Sequence, residues 1–216
     1  MFRMFLSLII NVCLLVSFGF SQDTEWKLSK DENDIKVYRR KVEGFAIEEL
    51  KTTFLVKAPL NAVVAVIKDA DRYSEWIYSC AESKVLKKIN ETEQYQYLVN
   101  DVPYPFNDRD IAVHFKIWQE AETKKVFTSS IGEADYIPKK NGRIRVPTYI
   151  GEYEVTPLSN TEVEINYRVK LDPGGKIPEW MVNLFIVKGP YESSLNMRER
   201  IESGEYDEAQ FDFLQN

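Results

Sequence analysis

Apolar and polar residues alternate with a period of two along most of the chain. The cleanest run is 162–172, where Val163, Ile165, Tyr167, Val169 and Leu171 share one face and Glu164, Asn166, Arg168 and Lys170 the other. That is the pattern of a strand buried on one side. Segments 35–42 and 46–57 predict a hairpin turned at Glu43-Gly44, with Ala46, Leu50, Phe54 and Val56 on one parity of its second arm. Further strands are predicted near 80–89, 93–100, 109–120, 125–132 and 144–157. The period lengthens early, where Pro59 suits the first position of a helix and Leu60, Val63, Val64 and Ile67 follow at helical spacing. Asp71 is placed to cap a second short helix, 72–77, carrying Trp76. Beyond Pro173-Gly174-Gly175 a long helix is predicted from Pro178, with Trp180, Leu184, Val187, Tyr191 and Leu195 as its apolar stripe. Gly189-Pro190 within it predicts a kink.

A long antiparallel sheet, two short helices inserted early and one long helix at the end describe an α+β chain. A curved sheet wrapped around the terminal helix, the helix-grip arrangement, satisfies that order. No repeat or linker divides it, so residues 22–205 are read as one domain and 206–216 as an acidic, solvated tail. Residues 1–21 read as a signal peptide. Arg3 precedes an apolar stretch over 5–18, and Gly19-Phe20-Ser21 sets small residues around a cleavage point before Gln22. An uncleaved anchor is the alternative. Cleavage implies export to the periplasm or outside the cell, and leaves Cys80 with no cysteine of its own chain to pair with.

The chain has 216 residues, 28 basic against 34 acidic, for a net charge of −6. That balance argues against a nucleic-acid partner, which needs a basic face. One histidine and two cysteines cannot assemble a Cys/His zinc site, and triad-type catalysis would have to run through His114 alone. His114 shares parity with Lys116 and reads as solvated. The chain carries no Gly-x-Ser-x-Gly, Walker loop or dinucleotide fingerprint, and Asp31-Glu32-Asn33-Asp34 lacks the rest of a calcium loop. Asn90-Glu91-Thr92 is a glycosylation sequon on a predicted turn. No catalytic group, cofactor or metal site is predicted.

Arg109 stands out because it has the parity of Ile111, Val113, Phe115 and Ile117, the apolar face of its strand. An inward arginine needs a partner, since an unpaired buried charge is very costly. A ligand phosphate suits its planar fork; a protein carboxylate such as Asp101 or Asp108 would serve equally from the residues alone. Tyr95, Tyr97, Tyr149, Tyr153 and Tyr167 also fall on faces read as inward. They are either plain core or the lining of a cavity whose ligand or water satisfies their hydroxyls.

Two longer motifs carry a resemblance. Val102-Pro103-Tyr104-Pro105-Phe106-Asn107-Asp108-Arg109-Asp110 is similar to the Pro-aromatic-Pro…Arg-Asp signature of START lipid-transfer domains. Asp172-Pro173-Gly174-Gly175-Lys176-Ile177-Pro178-Glu179-Trp180-Met181-Val182-Asn183 resembles the segment that opens their last helix. Trp26 in Trp-x-Leu, Ile35-Lys36-Val37-Tyr38 and Glu75-Trp76 sit where the family has them, so the resemblance covers nearly the whole chain after residue 21. It implies a tunnel between sheet and last helix holding one lipid, in a monomer that touches membranes transiently. By these motifs the chain is most similar to the phosphatidylcholine-transfer type, which places Arg109 on the lipid phosphate. The positions that would align with the acid–base pair of sterol-binding members, Gln96 and Phe115, are uncharged. The expected ligand-binding residues are then Arg109, Tyr95, Tyr97, Phe115, Tyr149, Tyr153, Tyr167, Trp180 and Leu184, with Tyr104, Phe106, Val187 and Tyr191 at the gate. The alternatives are a helix-grip enzyme of the polyketide cyclase or aromatase type, and a partner-binding protein with a simply packed interior.

Overall fold

The computed structural model describes residues 25–215, without the side chains of Glu179, Trp180, Asn183, Leu184 and Phe185. The signal-peptide reading of 1–21 lies outside these residues. In chain order the elements are β1 (Lys27–Glu32), β2 (Ile35–Arg40), β3 (Glu49–Val56), α1 (Leu60–Lys68), a 3-10 helix (Ala70–Glu75), β4 (Cys80–Asn90), β5 (Glu93–Asn100), β6 (Asp108–Gln119), β7 (Val126–Gly132), β8 (Arg143–Arg145), β9 (Thr148–Ser159), β10 (Glu162–Asp172) and α2 (Glu179–Glu202). The strands form one sheet in the order β1-β2-β3-β10-β9-β7-β6-β5-β4, with β8 pairing beside β6. The sheet curves around α2, which packs on β1, β2, β3 and α1. This is the helix-grip architecture.

The core lies between the sheet and the helices. Ile35, Val37, Phe54, Val56, Phe115, Ile117, Val155 and Ile165 meet Val63 and Ile67 of α1 and Met197 and Ile201 of α2, all buried. Each strand residue comes from the inward parity, which the pleat makes inevitable once one face is covered.

Five local differences from the sequence reading have physical causes. β1 has no alternation because it is an edge strand with little buried surface; it forms by pairing with β2 across Asn33-Asp34. Both turn residues have positive φ, 50° and 56°, as two-residue hairpin turns require. The β2–β3 connection is longer than predicted, spanning 41–48, with Gly44 in the left-handed region inside it. The second early helix is a 3-10 turn, and Asp71 does not cap it; its Oδ1 accepts the Val85 N–H at 2.8 Å instead. The strand expected over 144–157 is divided into β8 and β9 across Pro147, which has no N–H to give a ladder.

The tail is the fifth difference: it is docked, not solvated. The Tyr206 hydroxyl donates to Asp69 Oδ2 at 2.6 Å, and Asn61 Nδ2 donates to the Asp207 carbonyl at 2.9 Å. Phe211, Phe213 and Leu214 pack against the core, with Lys68 Nζ 4.1 Å from the Phe211 ring centre. These apolar side chains decide the tail's position, while Glu205, Asp207 and Glu208 stay at the surface.

Candidate functional site

A cavity of about 270 Å³ lies between the sheet and α2. Its sheet wall is built from Leu50, Phe54, Tyr149, Tyr153, Tyr167 and Val169, and its helix wall from Met181, Val182, Ile186, Pro190, Ser194 and Met197. One end is closed by Asn100, Asp101, Val102, Arg109 and Val146, and by the linker through Pro173 and Ile177. A smaller void of about 40 Å³ lies behind the tyrosines and adds Tyr73, Gln96, Phe115 and Ser130 to the lining.

Arg109 is 4% exposed and lines the cavity, as its parity predicts. Its Nη1 donates to the Asn107 carbonyl at 2.6 Å and its Nη2 to the Gly174 carbonyl at 3.4 Å. Its Nε is buried without a hydrogen-bond partner. Neither Asp101 nor Asp108 is within ion-pair distance; Asp108 Oδ1 instead accepts the Val102 N–H at 3.1 Å. Burial lowers the Arg109 pKa from its ordinary value, with the Asp108 charge acting weakly the other way. Among the described residues this buried guanidinium is held only by carbonyls, satisfied in part as a donor and left uncompensated as a charge.

The tyrosines divide. Tyr149, Tyr153 and Tyr167 face the cavity, with the Tyr149 and Tyr167 hydroxyls 3.1 Å apart and the Tyr153 and Tyr167 rings stacked at 4.4 Å. Burial raises the pKa of all three, so they stay neutral hydrogen-bonding groups. Tyr95 and Tyr97 are on the opposite face of the sheet and are not ligand contacts. Tyr97 is paired with Ala112 and Tyr95 with His114, so the inward positions of β5 are Gln94, Gln96 and Leu98. Gln96 is buried, and its Nε2 makes no hydrogen bond of normal geometry. Phe115 lines the smaller void as part of the main core.

The outer face explains where the misplaced aromatics go. Tyr95 is stacked between His114, 4.6 Å away, and Tyr136, 3.9 Å away, because the β7–β8 connection folds back over β5. His114 is therefore half covered and not solvated, with Nε2 2.6 Å from Glu93 Oε1. Tyr97 joins Asp110 in a buried polar cluster.

The four residues expected at the gate take different positions. Tyr104 is 96% exposed at the tip of the β5–β6 loop, beside half-buried Phe106 and before a cis bond to Pro105. Tyr191 faces away from the cavity: its hydroxyl accepts from Asn33 Nδ2 at 2.7 Å and Lys30 Nζ stands 4.0 Å over its ring. Val187 packs between two core clusters and is not on the cavity wall. The described part of the predicted stripe, Val187, Tyr191 and Leu195, packs on the main core, while the cavity is lined by a second flank through Val182, Ile186, Pro190, Ser194 and Met197. Pro190 and Ser194 mask it in the hydropathy pattern. The side chains of Trp180 and Leu184 lie outside the described residues. Among the described residues no group of His, Cys, Asp and Glu is arranged to hold a metal ion.

Comparison with known proteins agrees with this geometry. The family model described as START domain matches residues 11–203. An uncharacterized protein of Pseudomonas aeruginosa is 33% identical over 178 residues, covering 82% of this chain and 87% of the relative. The crystal structure of a STAR-related lipid transfer protein from Xanthomonas axonopodis superposes with a TM-score of 0.74 at 34% identity, over 82% of this chain and 98% of that one. The phosphatidylcholine transfer protein of Mus musculus is 23% identical over 164 residues, 74% of this chain and 75% of the relative.

Proposed function

This chain belongs to the START domain family, and from that premise we propose that it holds one amphipathic lipid between the sheet and α2, with Arg109 on the anionic part of its headgroup. The observation that carries this reading is Arg109 itself: buried, aimed into the cavity, with no carboxylate partner among the described residues and an unused Nε. A phosphate would supply both the charge and the acceptor geometry that the Asn107 and Gly174 carbonyls lack. The rest of the lining is mostly apolar, and removing acyl chains from water there contributes about 25 cal/mol per Å².

The volume bears on how loading occurs. At about 270 Å³ the cavity is at the lower edge of small-molecule sites, which run from roughly 300 to 1,000 Å³. A two-chain phospholipid requires α2 and the loop 101–107 to move outward, and that opening is the step at which lipid would pass to and from a membrane. Tyr104, exposed at the loop tip, is placed to meet the bilayer first. The action proposed is binding and carriage without covalent chemistry: the one histidine, His114, is on the other face of the sheet, and the lining offers the tyrosines as neutral hydrogen-bonding groups. Residues 1–21, as a signal peptide, would direct this activity outside the cytoplasm.

Mass spectrometry of lipid extracted from the protein as purified tests the reading. One phospholipid per chain is expected, and Arg109→Leu should lower that loading with the fold retained by circular dichroism. An unloaded protein, or equal loading of the variant, overturns it.

A further inference from the structure

The aspartate that follows Arg109 has no part in the lipid reading, yet it is among the most buried charges in the molecule. Asp110 points to the opposite face of β6 and meets Arg145 of β8 in an ion pair whose side chains are both 1% exposed. The pairing is a two-pronged fork: Arg145 Nε donates to Asp110 Oδ1 at 3.0 Å and Nη2 to Oδ2 at 2.9 Å. The Tyr97 hydroxyl donates to the same Oδ2 at 2.9 Å and accepts from Arg143 Nη1 at 2.9 Å. Arg145 Nη1 also donates to the carbonyls of Ala134 and Ile137. The cluster thus fastens both β8 and the β7–β8 connection to β6.

What β8 carries is the other half of the Arg109 environment. It pairs in parallel with β6 over three residues, Arg109 opposite Ile144, and the Val146 N–H donates to the Asp110 carbonyl at 3.0 Å. Ile144, between the two arginines, faces the Arg109 side. Gly174 and Gly175 lie directly on it: a Cβ added to either would stand 3.2 Å from an Ile144 methyl. Both glycines have left-handed φ, +68° and +65°, so the linker is shaped to this close approach. Gly174 then offers its carbonyl to Arg109 Nη2. The strand that bears Arg109 and the linker that receives it are both seated by the one ion pair behind them.

We propose that Asp110 and Arg145 form a positioning pair that fixes the Arg109 guanidinium for headgroup recognition. Buried ion pairs seldom add net stability over apolar residues of equal size, whereas in some folds they fix one arrangement among several. The role rests on the reading of Arg109 as the headgroup residue and extends it to a neighbouring cluster that touches no ligand.

The test replaces both partners at once, Asp110→Leu with Arg145→Met, so that no buried charge is orphaned. Loading is measured from phosphatidylcholine vesicles carrying a trace of either fluorescent phosphatidylcholine or fluorescent diacylglycerol, which has the chains without the phosphate. The expected result is a roughly tenfold loss for phosphatidylcholine, within the range over which neighbours in one network influence each other, and no change for diacylglycerol. Equal losses, or none, assign the pair to structure alone and overturn the proposal. The Arg109 Nε–H resonance, followed by NMR without lipid, gives a second reading: it should shift in the double variant, and an unmoved resonance also overturns the proposal. If Arg109→Leu itself fails to separate the two probes, the phosphate assignment falls, while the resonance still decides whether the pair positions Arg109.

Discussion

Arg109 and Asp110 are consecutive, buried and opposite in fate. The pleat sends one to the cavity, where the cation has no ion-pair partner among the described residues, and the other to the back of the sheet, where the anion is fully paired. The stability of that pairing has a defined pH dependence. Burial alone raises the Asp110 pKa, but hydrogen bonds from Arg145 and Tyr97 and the neighbouring positive charges outweigh it, so the carboxyl titrates below its ordinary value. A depressed carboxylate stabilises the fold above its unfolded pKa, about 3.9, and that stability is lost as pH falls through the lower folded value. Asp110→Asn should therefore cost about 3–5 kcal/mol in urea denaturation at pH 7, because it orphans Arg145. The gap from the wild type should narrow only below about pH 4; narrowing on the alkaline side would contradict this assignment. Residue-scale reading of the sequence succeeded where polarity and parity were in conflict and failed where they were not tested against each other. Arg109 was legible because a charge on an apolar parity demands explanation. Tyr95 and Tyr97 were misplaced because aromatic was equated with inward, while the inward residues of β5 are Gln94 and Gln96. Nothing local to β5 announces that the β7–β8 connection will cover its outer face.

Elements were legible wherever one periodicity dominates, as in β10 and α1. They were less so where a segment serves two neighbours. α2 has apolar residues on two flanks, one for the sheet edge and one for the cavity, and a single stripe drawn through Tyr191 describes only the first. The tail shows the same limit: its charge count suggests solvent, but Tyr206, Phe211, Phe213 and Leu214 dock it beside α1. Docking has a measurable signature at Lys68. Burial lowers its pKa to about 8 despite its contacts with the Phe211 and Phe213 rings. A chain ending at Gly204 should return Lys68 towards the ordinary value of about 10.4 by NMR titration. Phe213→Ala should lower stability by roughly 1–2 kcal/mol, less than a full core phenylalanine because the ring is only half buried. A Lys68 that still titrates near 8 in the shortened chain would mean that other neighbours, not the tail, desolvate it.

At the scale of the molecule the order of strands and helices was enough to identify the architecture, because a sheet this long, with α2 arriving last, has few ways to bury one face. The cavity was not legible in the same way, since it is the space that the side chains of α2 and the sheet leave unfilled between them, even though Ser194 reaches Thr52 of β3 at 3.2 Å and Met197 is buried in the core. A ligand filling that space would make stability and loading one linked equilibrium. A ligand at 100 times its dissociation constant adds about 2.7 kcal/mol to a protein that binds it only when folded. For a chain of this size that corresponds to a rise in melting temperature of roughly 5–10 °C. Hydrogen exchange should locate the gain. Protection is expected to rise in residues 101–107, the linker 173–178 and the first half of α2, with β9 and β10 unchanged, because the first three must open for lipid to enter. If those segments are already as protected as β9 and β10 in delipidated protein, they do not open on the relevant timescale. The volume of about 270 Å³ then sets the ceiling, and a single-chain lipid small enough to fit without α2 moving is the expected ligand.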